Sequence, residues 1–449
     1  MPLVLSRLKR WPFTPGQAKF RKLWAAESVS QMGAQVSMVA FPLAAILILN
    51  AGTVQVGFLA AAERAPYLLF GLLAGVFVDR WNHRVVMIAA DWTRAAAIVT
   101  IPILAWTNHL SIALMCLVVF VVGVATVFFD IAYQSILTSV VDQRDLINAN
   151  RLLESSAVVS QVGGPGIAVL ILRVLSAPYA IVVNAATFAF SALFLHSIGQ
   201  VRAEPEESPE PASIRRELLS GLVFIRKTPF LRWIALIAGT WNLLLQALMA
   251  VFFVFLSHEL HLSASAIATV VFVGAIGGVF GIAVMGRINA WFGVGPTVCI
   301  ATGASAVGGI VLAFAGGAPT LAAVVVGTAF FLQNASNPLF DVNVITIRQT
   351  ITPQHLMSRT TAAIRTIIWG ALPLGALVGG FLGAAIGTRS SIVVLGVALL
   401  LPAGLTLISP IRKIRAISDV EPEPPSTDSS TNPNADPVPG AAERPLKTA

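Results

Sequence analysis

The stretch Gly75-Val76-Phe77-Val78-Asp79-Arg80, with His83-Arg84 close behind it, decides the fold of this chain. An apolar run from about Val54 to Val78 is long enough to cross a bilayer and empties into a short, charged, glycine-marked corner, after which a second apolar run starts at once. Two spanning helices joined by a tight turn satisfy that pattern. Gly75 lets two helix backbones approach closely. Asp79 sits among Arg80, Arg84 and Arg94 as a carboxylate that is costly near lipid without a cationic partner.

Composition extends the same conclusion to the whole chain. With 56% apolar residues, 11% charged residues and a mean hydropathy of +0.82, the chain carries more apolar surface than one core hides from water. Apolar runs of about 20 residues fall at roughly 22–49, 54–78, 84–106, 111–137, 148–172 and 178–199, and again at roughly 231–256, 264–289, 295–315, 319–346, 359–385 and 389–410. Six and six are separated by a polar middle. Lysine and arginine crowd one side: the amino-terminal arm, the 75–84 corner, Arg144, Arg151, the linker, Arg287, Arg348, Arg359, Arg365 and the tail. The other side has only Arg173 and Arg389, so both termini are expected in the cytoplasm, with the protein in the cell membrane. The net charge of +8 lies in juxtamembrane positions that suit anionic lipid headgroups, and no nucleic-acid partner is expected.

Several chemistries are absent. Cys116 and Cys299 fall inside different spans, with no disulfide or metal-ligand spacing, and no nucleotide-binding loop or hydrolase motif occurs. No enzyme, cofactor or metal is expected. The basic arm before the first run resembles a signal peptide, but the run is too long and includes Glu27, so it is expected to stay as a helix. In the middle, 204–211 is acidic and proline-rich, hence extended. The segment 213–227 places Ile214, Leu218, Leu222 and Ile225 on one face of a basic amphipathic helix suited to the membrane surface. The tail after Ser418 has the composition of a disordered segment.

Internal symmetry gives an independent check. Sliding the chain by 211 residues aligns Phe129-Asp130 with Phe340-Asp341, Gly164 with Gly375, Gly75 with Gly286, Gln143 with Gln354 and Gln35 with Gln246. Asp79 corresponds to Ala290, so the charged corner belongs to the first half alone.

The spacing of Gly75, Asp79, Arg80 and Arg84, with Asp91 and Arg94 behind them, resembles the loop 2–3 signature of the major facilitator superfamily. In the fifth span, Gly163-Gly164-Pro165-Gly166 is similar to the glycine-proline motif of that superfamily's exporters. Val119 stands where exporters usually carry an arginine four residues before Gly123. Together with Pro66-Tyr67-Leu68-Leu69, Asp91-Trp92-Thr93-Arg94 and Pro373-Leu374-Gly375, these residues resemble the branch holding the enterobactin exporter and Tap-type multidrug efflux proteins. The resemblance implies an all-α membrane protein of twelve transmembrane helices in two pseudo-symmetric six-helix bundles. A basic arm would cover 1–21, the first bundle 22–199, a linker 200–230, the second bundle 231–410 and a tail 411–449.

Ionisable residues inside spans are functional candidates. Glu63 and Arg64 lie near mid-depth in the second span, the expected proton-coupling place, or a local structural pair. Glu27 and Asp130 are expected near the cytoplasmic surface as lesser candidates, with Asp341 like Asp130. In the superfamily, helices 1, 4, 7 and 10 line the central cavity, which nominates Gln35, Asn242, Gln246, Asn334 and Asn337 for substrate contact or, equally, for bonds between helices. The resulting expectation is a monomeric secondary-active exporter that moves amphipathic small molecules against protons, in contact with membrane lipids. The alternatives are an exporter of one siderophore or other metabolite, and a lipid flippase or membrane sensor.

Overall fold

The computed structural model describes residues 17–78, 81–141, 146–174, 177–199, 223–353, 357–416 and 419. Helices dominate them. The first half holds α1 Gln17–Leu49, α2 Thr53–Val78, α3 His83–Trp106, α4 Ile112–Val140, α5 Leu146–Val174 and α6 Ala177–His196. The second holds α7 Pro229–Val254, which runs into a single π turn at Phe255–Glu259, then α8 Ala264–Phe292, α9 Val294–Ala313, α10 Pro319–Ile351 and α11 Met357–Ile386. A last span is made of two pieces, α12 Thr388–Ala398 and α13 Leu400–Ile408, broken at Leu399 three residues before Pro402. Eleven stretches among the described residues are long and apolar enough to cross a membrane, and α2, with 26 residues, supplies the remaining crossing.

Within the first half α1 packs on α5 and α6, α3 on α4 and α6, and α2 on α4; within the second α7 packs on α11 and α12, and α10 on α8 and α9. The halves meet along two seams, α2 with α11 and α5 with α8. Exchanging each helix for its counterpart six places away, α2 for α8 and α11 for α5, turns one seam into the other, the mark of two similar bundles related by a pseudo-two-fold axis. The 211-residue repeat is visible in atoms. A Cβ on Gly164 would drive into Gln35 and the Met32 carbonyl, and one on Gly375 into the Leu243 carbonyl, and Met32 and Leu243 are themselves 211 apart. Glycine is required at both places because α5 lies on α1, and α11 on α7, at backbone contact distance.

The helices outrun the apolar runs. α1 begins at Gln17 rather than 22 and α10 ends at Ile351 rather than 346, because polar and basic residues continue a helix past the apolar layer as long as water reaches their side chains. Lys22 donates to the Ser197 carbonyl at 2.6 Å, and Arg84 donates to the carbonyls of Leu195 and His196, so cations from α1 and α3 satisfy the carboxyl end of α6. Asp79 and Arg80, most of the amphipathic linker segment, the first 16 residues and the tail from 420 lie outside the described residues; 223–227 is helical.

Contacts between α2 and α11 run from Thr53 against Gly383, through Phe58 against Phe381, to Tyr67 against Trp369 and Leu68 against Gly370. One turn further, at Gly71, the space beside the helix is empty to 4 Å. The described contacts close the seam at the end opposite Arg84 and His196.

Candidate functional site

A cavity of about 250 Å³ lies inside the first half, walled by α1, α2, α3, α4 and α6. Its apolar walls are Met38, Phe41, Val119, Val122, Phe129 and Phe188. Into it project Glu27 and Gln31 from α1, Glu63, Arg64 and Tyr67 from α2, Arg94 from α3, and Thr126 and Asp130 from α4.

Helix spacing explains the assembly. Glu27 and Gln31 are one turn apart, as are Glu63 and Tyr67, so each pair shares a helix face. Gln31 donates to Glu27 Oε1 at 2.7 Å, while the buried Glu27 Oε2 has no hydrogen-bond partner. The Tyr67 hydroxyl donates to Asp130 Oδ2 at 2.8 Å and ties α2 to α4. Arg64 and Glu63 stand 3.8 Å apart with side chains 41% and 43% exposed, a loose pair open to the cavity.

Behind this rim is a tight ion pair. Arg94 donates to Asp91 one turn before it on α3, and the two side chains are 4% and 0% exposed. The guanidinium also lies 4.1 Å from the Phe129 ring centroid and 4.3 Å from that of Phe188, held between α4 and α6. A buried charge needs a partner of opposite sign, although Asp91 Oδ2 and Arg94 Nε make no hydrogen bond of their own. Counting the ionisable groups that line the cavity, three carboxylates (Glu27, Glu63, Asp130) face Arg64 alone, because Arg94 is neutralised by Asp91. The cavity carries a surplus of two negative charges when all are ionised.

Several expected residues take different places. Glu27 is ten residues into α1 and Asp130 ten residues from the end of α4, and both reach the cavity. Glu63, ten residues into α2, reaches the same cavity from the opposite end. Arg94 pairs with Asp91, and Arg84 donates to the carboxyl end of α6, while Asp79 lies outside the described residues. Gly75 falls in the last turn of α2. Gln35 lines the cavity and packs on Gly164, one residue before Pro165, which lies buried in α5. Asn242, Gln246, Asn334 and Asn337 do not line it: Asn242 donates to Ala238 O and Asn334 to Phe330 O within their own helices, and Asn334 packs beside Gly274 of α8. Tyr67, Gln31 and Asn184 were not singled out as site residues from sequence. The chain has three tyrosines, and the one following Pro66 in an apolar run was the available signal.

The sequence profile of the Major Facilitator Superfamily matches residues 23–372. The multidrug efflux pump Tap of Mycolicibacterium fortuitum is 25% identical over 381 residues, 82% of this chain and 90% of that protein. Macrolide efflux protein A of Streptococcus pyogenes is 26% identical over 239 residues, 52% of this chain and 58% of that protein. Among solved structures, a bacterial homologue of the iron transporter ferroportin in its inward-facing state superposes with a TM-score of 0.69 at 17% identity, covering 87% of this chain and 98% of that one. The outward-facing state of that homologue gives 0.57 at 17% identity, over 87% and 98% of the two chains. The nucleoside transporter NupG gives 0.67 at 12% identity, over 88% and 98%.

Proposed function

This chain belongs to the Major Facilitator Superfamily, and within that family of transporters we propose that it exports amphipathic cations in exchange for protons. The observation that carries this reading is the cavity of the first half, where Glu27, Glu63 and Asp130 face an apolar and aromatic wall with one unneutralised arginine. An aromatic wall with a few charged groups suits a bulky lipophilic cation. The same carboxylates can hold protons in its place, so that one positive charge is traded for another across the cycle. The efflux activity of the similar Tap and macrolide proteins supports outward transport of a drug-like molecule.

The basic end is the cytoplasmic face in this reading, following the excess of Lys and Arg there. The seam that is shut at Thr53 and Gly383 and free at Gly71 then corresponds to a state open inward. Rocking of the two bundles about the cavity alternates access. Glu27, with an unpartnered oxygen, and Asp130 are the groups best placed to exchange a proton for substrate, while Glu63 and Arg64 lie toward the closed end of the cavity. The Asp79 corner is proposed to hold the inward face closed in the opposite state.

Efflux from loaded cells tests the proposal. Expression is expected to speed the loss of ethidium, and a protonophore to abolish the difference. Export that persists with the protonophore overturns proton coupling, and export of anionic dyes in preference to ethidium overturns the substrate class.

A further inference from the structure

The Asp130–Tyr67 hydrogen bond does not end inside the first bundle. The Tyr67 ring meets the Trp369 ring of α11 edge to face, with centroids 4.8 Å apart and planes at 82°. The guanidinium of Arg365, one turn back on α11, lies 5.6 Å from the Trp369 centroid. A continuous chain of contacts therefore runs from a cavity carboxylate on α4, through α2, to an aromatic and a cation of the other bundle. Its place is also particular. Tyr67 and Leu68 are where the closed part of the α2–α11 seam ends, one turn before the empty space at Gly71.

We infer that Tyr67 and Trp369 are positioning residues that transmit the occupancy of Asp130 to the seam between the bundles. The occupant is a positive charge, either a proton or the cation of a substrate, so the inference rests on the proposed function. The Tyr67 hydroxyl can keep its bond to Asp130 only while its ring holds one rotamer, and that rotamer is the one in edge-to-face contact with Trp369. A cation that engages the Asp130 oxygens competes with the hydroxyl. Releasing the hydroxyl frees the ring to leave Trp369, and the last contact of the closed seam goes with it. Movement of α2 on α11 pulls the hydroxyl off Asp130 by the same path in reverse, as linkage between two sites requires.

Other charged groups share the neighbourhood of Asp130. Glu27 faces it from α1, Glu63 and Arg64 from α2, and Arg94 from α3, while Glu154 on α5 bears on Tyr133 one turn away on α4. A pH response of the protein thus has several possible sources. The hydroxyl of Tyr67 is what distinguishes the path proposed here.

The test uses the full-length protein in liposomes with Cys116 and Cys299 replaced by serine. Leu68→Cys and Gly370→Cys are added, positions in van der Waals contact across the seam. Yield with a short bifunctional thiol reagent is read at pH 5.5 and pH 8, and at pH 8 with and without ethidium; the first pair of conditions reports protons, the second a substrate cation. Yield is expected to change in at least one pair, and the change to vanish in Tyr67→Phe, which keeps the ring and loses the hydroxyl. Trp369→Phe is expected to keep part of the response and Trp369→Ala none. Ethidium transport by Tyr67→Phe is expected to fall about ten- to hundredfold, the ratio that a hydrogen bond to a charged acceptor is worth, with ethidium binding changed less than about twofold. An unaltered response of the cross-link in Tyr67→Phe overturns the inference, whether or not ethidium proves to be exported. A wild-type protein that shows the pH response but exports no ethidium keeps the inference and sinks the substrate assignment.

Discussion

The two bundles repeat one frame and fill it with opposite chemistry. Phe129 and Phe340 occupy equivalent positions 211 residues apart, both fully buried. Over Phe129 lies the Arg94 guanidinium, paired with Asp91; over Phe340 lies the Trp241 indole, with ring centroids 4.0 Å apart and its Nε1 donating to Ser305 at 3.2 Å. Ser305 and Thr302 are the counterparts of Arg94 and Asp91. The first bundle holds its core around a neutralised charge, the second around an aromatic ring and a neutral hydrogen bond. Asp130 and Asp341 differ in the same way. Asp130 has Tyr67 to bond it, whereas Gly278 stands at the position equivalent to Tyr67 and Asp341 is exposed. Among the described residues the first half gathers carboxylates around a cavity, while the equivalent core of the second half, Trp241, Ser305 and Phe340, is uncharged.

Breaking the charged centre is expected to have the largest effect. Arg94→Met leaves Asp91 buried without its partner and is expected to cost about 3–5 kcal/mol. Ser305→Ala removes one neutral hydrogen bond and is expected to cost about 1 kcal/mol. Thermal unfolding of the purified proteins in detergent compares them, and equal losses would erase the distinction between the halves. The double change Asp91→Thr with Arg94→Ser grafts the second half's pair onto the first and is expected to regain most of the stability lost by Arg94→Met.

The glycines of the shared frame sharpen the comparison from the other side, because there the halves should respond alike. Gly164→Ala and Gly375→Ala are each expected to cost about 1–3 kcal/mol through overpacking of α5 on α1 and of α11 on α7. Gly71→Ala, with nothing within 4 Å, serves as the neutral control in the same melting experiment.

Transport separates the two aspartates. Asp130→Asn is expected to lower ethidium efflux about tenfold or more, as removal of a charged hydrogen-bond acceptor does. Asp341→Asn is expected to stay within about twofold of the unaltered protein. Comparable defects at equal membrane expression would mean that both repeats carry coupling.

The smallest effect belongs to a cluster that the first half lacks. Glu259 in the π turn after α7 accepts from Thr388 and from the Arg389 backbone, and Arg389 reaches the Ala315 carbonyl at 2.9 Å, stapling three loops at the end away from the basic face. The Arg389 and Glu259 side chains are 49% and 33% exposed, so Arg389→Ala is expected to cost less than about 1 kcal/mol in melting and to leave efflux unchanged. A large loss would make this latch a structural counterweight to the Asp91–Arg94 pair.

Much of this was legible in the residues alone. Apolar runs of spanning length, the excess of Lys and Arg on alternate loops and the 211-residue repeat settle that the chain is a membrane protein of two similar halves, because lipid admits few backbone solutions and charge is excluded from its interior. The candidates Glu27, Glu63, Arg64, Arg94 and Asp130 were also visible, since an ionisable residue in an apolar run stands out against its neighbours. The Glu63–Arg64 pair was visible too, but the partners of Glu27 and Asp130 were not. In water a helix shows its buried face by amphipathic period, but in a bilayer the lipid-facing and core-facing sides are both apolar, so the sequence of α2 or α4 does not say which way Tyr67 or Asp130 points. Spacing puts Asp91 and Arg94 on one helix face, but it does not show that Arg94 lies against the rings of Phe129 and Phe188, or that Asn334 packs beside Gly274. Composition and periodicity determined the spans and their repetition; the rotation of each helix about its own axis, set by glycine contacts and ring packing between neighbours, decided which charges meet.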